Sequence, residues 1–306
     1  MTPELVIIGI LTSGIRLATP YLYAAIGETF GQRSGVLNLG VDGQMLLGAF
    51  AGFYVVFTTG SLELGLLAAI LVGAVMGLAM AFVTVNLQAE QGISGIGFYL
   101  FGLGMSELLF KMLLGTVETV KGFPSLHIPL LGDIPILGEI FFQHNVMVYG
   151  AFLLVPVAWF VLNKTTLGLK IHSVGENPEA ADSLGVSVAR IRYFTIILGG
   201  ILSGVAGASL SIALLNVFQQ NMTSGLGFIA VALVYFGAWR PWGVLAGALL
   251  FSMVNSLQLW MQVLNIPIPT EIAIMLPYIL TIVVLVITVS RVRSPSALTK
   301  PFDRGE

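Results

Sequence analysis

Apolar residues run along this chain in long blocks, not in the short alternations of a soluble fold. Nine blocks stand out: Leu5–Ile26, Val36–Phe57, Leu62–Val85, Ile93–Leu114, Val146–Leu162, Val188–Leu215, Leu226–Ala238, Trp242–Val263 and Ile272–Val289. A span needs about 20 mostly apolar residues to cross roughly 30 Å of hydrocarbon, and most of these blocks meet or approach that length. The seventh, of about 13 residues, is the shortest. The pattern predicts an all-α fold: a polytopic transmembrane helix bundle of about nine spans (8–10). One domain over residues 1–290 would be followed by a basic tail at 291–306.

Composition removes the soluble alternative. Of 306 residues, 57% are hydrophobic and only 9% charged, where soluble domains carry about 25% charged residues. Mean hydropathy is +0.96. The absence of cysteine excludes disulfides, thiolate metal sites and cysteine nucleophiles. The net charge of −2 says little, but the placement of the charges says more. With nine spans starting outside, the internal segments carry Arg33, Lys164, Lys170, Arg190, Arg192, Arg240, Arg291, Arg293, Lys300 and Arg304, against Lys121 alone in the external loops. Basic residues stay preferentially on the cytoplasmic side, so the N-terminus is expected outside and the C-terminus inside. A re-entrant seventh block would reverse the basic tail, so that block is expected to cross. Met1–Glu4 has no basic region, and Leu5–Ile26 reads as a retained span instead of a cleaved signal.

Two connections are long. The external one, Thr116–Asn145, contains three prolines (Pro124, Pro129 and Pro135) and suggests a ledge on the membrane surface. The internal one, Asn163–Ser187, is polar. The segment Val36–Val85 resembles Leu226–Val263 in texture, and the two point in opposite directions in this topology, the pattern of an inverted repeat. Glycine pairs such as Gly73/Gly77 and Gly200/Gly204 fit close helix crossings.

The sharpest local signal is the run Gly175, Glu176, Asn177, Pro178, Glu179, Ala180, Ala181, Asp182, Ser183, Leu184 and Gly185. Asn177 is a good N-cap, Pro178 suits the first helical position, and Glu179 and Asp182 complement the positive helix start. Gly185 supplies the left-handed closing residue. The spacing predicts a helix of about seven residues, roughly 10 Å long, too short to be stable without a packing or docking partner. An ordinary connecting helix remains the alternative.

This run is followed by Arg190, Ile191, Arg192, Tyr193 and the glycine-rich Gly199–Ala208. Together they resemble the permease subunits of bacterial ABC importers, closest to the nucleoside branch, with ribose and branched-chain amino acid permeases as cousins. A second block agrees: Ala18, Thr19 and Pro20, then Gly27 and Glu28, then Arg33 through Gly43. It departs at Asp42 and Gln44, where Glu and an apolar residue are expected, which bears on the solute more than on the family. The resemblance implies a type II-like importer permease in the bacterial inner membrane. It implies that Gly175–Gly185 forms a coupling helix seated in a separate cytoplasmic ATPase, with Ala180, Ala181 and Leu184 as its apolar face and Glu176 and Glu179 available to basic residues. It further implies a second permease, commonly a related one, and an extracytoplasmic solute-binding protein. No G-x-x-x-x-G-K-[ST] loop is present, so ATP and Mg would bind in the partner and no cofactor or metal here. Nucleic acid is not an expected partner; membrane lipid is.

Ionisable groups within spans are the next pointers, since each costs at least about 2.5 kcal/mol at the centre of an unpaired helix. Arg16 and Asp42 sit at similar depth and could pair, as a structural clamp or as pathway lining. Glu107 and Lys111, four residues apart, are expected to neutralise each other. An uncharged nucleoside needs amides, hydroxyls and aromatic surfaces; the candidates are Asn38, Asp42, Gln44, Phe53, Asn86, Asn255, Gln258 and Trp260. An ion- or proton-coupled transporter is the second reading, with Asp42 and Glu107 a thin supply of carboxylates for a relay. A membrane enzyme ranks last, because no nucleophile–base or metal-ligand spacing stands out.

Overall fold

The computed structural model describes residues 3–129, 131–264, 275–277, 279, 282, 283, 286 and 293–303. Eleven helices are found there: α1 (Pro3–Arg33), α2 (Val41–Thr59), α3 (Leu62–Ala81), α4 (Gln91–Leu113), α5 (Leu137–Phe141), α6 (Val146–Lys164), α7 (Thr166–Glu176), α8 (Pro178–Ser183), α9 (Val188–Ala208), α10 (Leu226–Phe236) and α11 (Pro241–Val263). Five-residue and six-residue π-helical turns, Phe82–Asn86 and Ser209–Leu214, extend α3 and α9. Among the described residues seven helices are long and apolar enough to cross a membrane; α10 is shorter, at 11 residues. The predicted ninth span, Ile272–Val289, lies largely outside the described residues, as do Arg291 and Arg304.

The core forms where α1, α2, α3 and α9 cross, and the glycines explain how closely they approach. A Cβ on Gly73 would stand 2.3 Å from the Gly200 carbonyl oxygen, and one on Gly48 2.5 Å from the Gly204 Cα. Backbone-to-backbone contact of this kind replaces the hydrophobic drive that lipid does not supply. On the outside, Leu71, Val75, Leu100, Phe101 and Leu153 are exposed apolar residues of the lipid-facing type.

The predicted span Val36–Phe57 is corrected at its start. Residues 34–40 are irregular and almost wholly buried, and the helix begins only at Val41. Gly35 takes φ +90, and the Asn38 Oδ1 accepts from the Gly40 N–H (2.9 Å), a local turn that competes with helix. Irregular backbone at such depth survives only where protein satisfies it. Here Glu28 Oε1 accepts from the Asn38 N–H (3.0 Å) and Gln91 Oε1 from the Leu37 N–H (2.8 Å). The long loop 116–145 folds back across the bundle end: the Val120 N–H donates to the Asn216 carbonyl (3.0 Å) and Phe123 to Ile212 (3.1 Å).

Candidate functional site

At the end of the bundle where α1 and α6 finish, the connection from α6 to α9 is more helical than expected. Thr165 Oγ1 caps α7 by accepting from the Gly168 N–H (3.2 Å). Asn177 Oδ1 accepts from the Ala180 N–H (3.0 Å), Pro178 occupies the first turn, and Gly185 closes at φ +84. Gly175 lies against the end of α1, where a Cβ would be 2.0 Å from the Arg33 carbonyl oxygen. The expected apolar face divides. Ala181 turns inward and packs with Val174, Val188 and Phe302, whereas Glu179, Ala180 and Leu184 face out, Leu184 being 85% exposed. Ala181 is therefore removed from the outward face. Glu176 is exposed, and its Oε2 accepts from the Ser296 hydroxyl (3.0 Å).

The C-terminal stretch straps this corner together. The Ala297 N–H donates to the Gly175 carbonyl (2.9 Å), and Thr299 N–H to that of Gly35 (3.1 Å). Arg192, almost wholly buried, donates from Nη1 to the Lys300 carbonyl (3.1 Å) and from Nε to Ser34 (3.4 Å).

Deeper in the bundle, α2 and α10 meet N-terminus to N-terminus at Asp42. This carboxylate is fully buried. Its Oδ2 accepts from the Thr223 hydroxyl (2.9 Å) and its Oδ1 from the Gly227 N–H (2.8 Å), so Asp42 caps α10 from another helix. The approach demands glycine, since a Cβ on Gly227 would fall 2.3 Å from the Asp42 nitrogen. The expected Arg16–Asp42 pair is not formed. Arg16 is exposed, and the carboxylate is already satisfied by a helix start and a hydroxyl. Glu107 and Lys111 do pair, at 2.6 Å, on an exposed face.

A cavity of about 250 Å³ opens beside this junction, lined by Thr223, Ser224, Asn255, Gln258, Tyr21 and Phe251 among others. The Tyr21 and Phe251 rings meet edge to face at 5.3 Å. Two predicted pathway residues, Asn255 and Gln258, thus share one wall, and Asp42 reaches it through Thr223. The others go elsewhere. Asn38 Nδ2 donates to Gln44 Oε1 (3.1 Å) at the base of α2. Phe53 is buried among Phe57 and Phe218. Asn86 accepts from the Tyr193 hydroxyl (2.6 Å) at an exposed position. Trp260 packs on Gly9 and donates to the Ser13 hydroxyl (3.4 Å). Sequence reasoning missed Thr223, Tyr21 and Phe251, which three separate parts of the chain bring to one place and which carried no signal in the sequence.

A profile of the permease component of branched-chain amino acid transport systems matches residues 10–285. The chain belongs to this permease family. A Haloferax volcanii protein provisionally named a glucose ABC transporter permease protein is 39% identical, over 97% of this chain and 98% of its own. A guanosine ABC transporter permease protein of Bacillus subtilis is 36% identical, over 94% of each. A nucleoside ABC transporter permease protein of Lactococcus lactis is 35% identical, over 92% of each. A solved inward-facing ABC transporter assigned to the metal-chelate type matches at TM-score 0.52 and 15% identity, over 92% of this chain and 85% of that one. That likeness bears on the fold of this permease alone. Permeases of this family are transport components, not enzymes.

Proposed function

We propose that this permease is the membrane subunit of an ATP-driven importer in the bacterial plasma membrane, translocating a nucleoside through a pathway that a separate cytoplasmic ATPase opens and closes. The observation that carries the reading is α8: a capped six-residue helix that holds Glu179 outward and is closed by the largely exposed Leu184. An exposed leucine beside a carboxylate suits a protein groove better than water. ATP and Mg bind in the ATPase; a related second permease and an extracytoplasmic binding protein complete the transporter, and this chain performs no covalent chemistry.

In this reading the α8 end faces the cytoplasm, Ile272–Val289 supplies the ninth span, and the C-terminus lies inside. An inverted repeat is supported by the way α1 and α9 each lead through irregular backbone into a helix, α2 or α10, whose starts meet at Asp42. The solute passes the cavity at Asn255 and Gln258, whose amides can pair with base edges and ribose hydroxyls while Tyr21 and Phe251 offer ring faces. The guanosine and nucleoside relatives favour this class of solute; a sugar, the class in the Haloferax relative's name, is the second reading.

Uptake into proteoliposomes carrying the whole transporter separates them. Guanosine should accumulate only with internal ATP, glucose should not compete, and the Asn255→Ala, Gln258→Ala pair should slow uptake about tenfold with ATPase binding intact. Uptake that an uncoupler abolishes at constant ATP would point to ion coupling instead.

A further inference from the structure

Between the ends of α1, α6 and α10 and the start of α11 lies a second cavity, of about 840 Å³. Arg33, Arg240, His172 and Asn163 line it beside Trp159 and Trp242. Its cations are largely unspent. Arg33 donates Nε to the Trp239 carbonyl (2.9 Å) and no other hydrogen bond to a described residue. Arg240 is exposed, and the start of α11 has no side-chain cap. Nε2 of His172 is shielded from solvent without a partner among the described residues. Lys164, outside the lining, stands over the Trp159 ring at 5.8 Å from its centre and adds a positive charge beside the cavity. Glu176 is the acidic group facing Arg33 and His172, and one of its oxygens is engaged by Ser296. The balance is positive. Trp159 and Trp242 are 37% and 50% exposed, amphipathic rings placed where apolar spans end, the level at which such rings mark the headgroup boundary.

We infer that this cavity seats the phosphate-bearing headgroup of an anionic phospholipid, with Arg33 and Arg240 on the phosphate and Trp159 and Trp242 against the first acyl carbons. A free phosphate shares the anionic chemistry but leaves both rings without a role. The inference rests on the α8 end being cytoplasmic, where basic pockets between spans meet anionic headgroups. Binding is read without transport, so its failure and that of the importer reading are separable.

The test is lipid binding to the delipidated full-length chain in detergent, followed by native mass spectrometry and thermal shift. Phosphatidylglycerol should bind at least tenfold more tightly than phosphatidylcholine, a difference of about 1.4 kcal/mol. Arg240→Gln should erase most of that preference, and Arg240→Lys should keep it. Inorganic phosphate should not displace the lipid. Equal binding of the two lipids overturns the proposal. Displacement by inorganic phosphate overturns the lipid assignment in favour of a soluble anion, and displacement by the ATPase overturns it in favour of a protein occupant.

Discussion

Asp42 shows how much one side chain can fix. A buried carboxylate is costly unless its oxygens are met, and here they are met by Thr223 and by the first turn of α10. Asp42→Ala strands those donors, so a destabilisation of about 1–3 kcal/mol is expected, read as a lower Tm in detergent. Reversing both Arg16 and Asp42 should not rescue it, because the two do not pair. His144, in the loop before α6, carries a pH signature. Its Nε2 donates to the Ile140 carbonyl (2.8 Å), while Nδ1 is buried without a partner among the described residues. Burial, and secondarily the charge of Arg16, pushes its pKa below the ordinary value despite that bond. The neutral form is favoured when folded, so below about pH 6.5 the unfolded chain binds the extra proton and stability falls as pH drops. His144→Gln, which can keep the donor to Ile140, should flatten that acid loss in a pH series of melting curves.

Helix packing belongs to the next scale. The α3–α9 crossing is set by Gly73, Gly77, Gly200 and Gly204, and any side chain there must displace backbone. Gly200→Leu is therefore expected to cost at least about 1–3 kcal/mol and to lower folded yield, measured by size exclusion; Gly104→Ala, where a Cβ meets nothing within 4 Å, should be silent. The spans and these crossings were legible because lipid enforces length and apolarity, and because small residues spaced by four face one way. The cap of α8 was legible because Asn177–Pro178 acts locally. The irregular stretch 34–40 was not, since its apolar letters suit helix and the groups that hold it open, Glu28 of α1, Gln91 of α4, Arg192 of α9 and the Thr299 N–H, all lie outside it in the sequence. Nor was the inward turn of Ala181, which depends on Phe302 more than a hundred residues on.

At the scale of the whole molecule, three layers line up from α8 to the cavity at Asn255. The outward helix α8 packs through Ala181 onto α7 and the start of α9, α7 lies through Gly175 against the end of α1, the strap 293–303 ties Gly175 and Gly35 together, and α1 and α2 lead to Asp42 and the cavity. A push on α8 has a continuous packed route inward. Removing residues 293–306 takes the Lys300 acceptor from buried Arg192 and should weaken coupling of ATP use to uptake while leaving the spans folded. The candidate solute site was only half readable, because Asn255 and Gln258 are polar letters in an apolar helix, whereas Tyr21 and Thr223 gain meaning only from the fold. The most direct check is co-purification of the ATPase with Leu184→Arg, Glu179→Arg permease whose melting curve matches the unchanged protein. Loss of the ATPase, and with it of ATP-dependent uptake, is the expected result; an ATPase that still binds and still drives uptake would contradict the role given to α8.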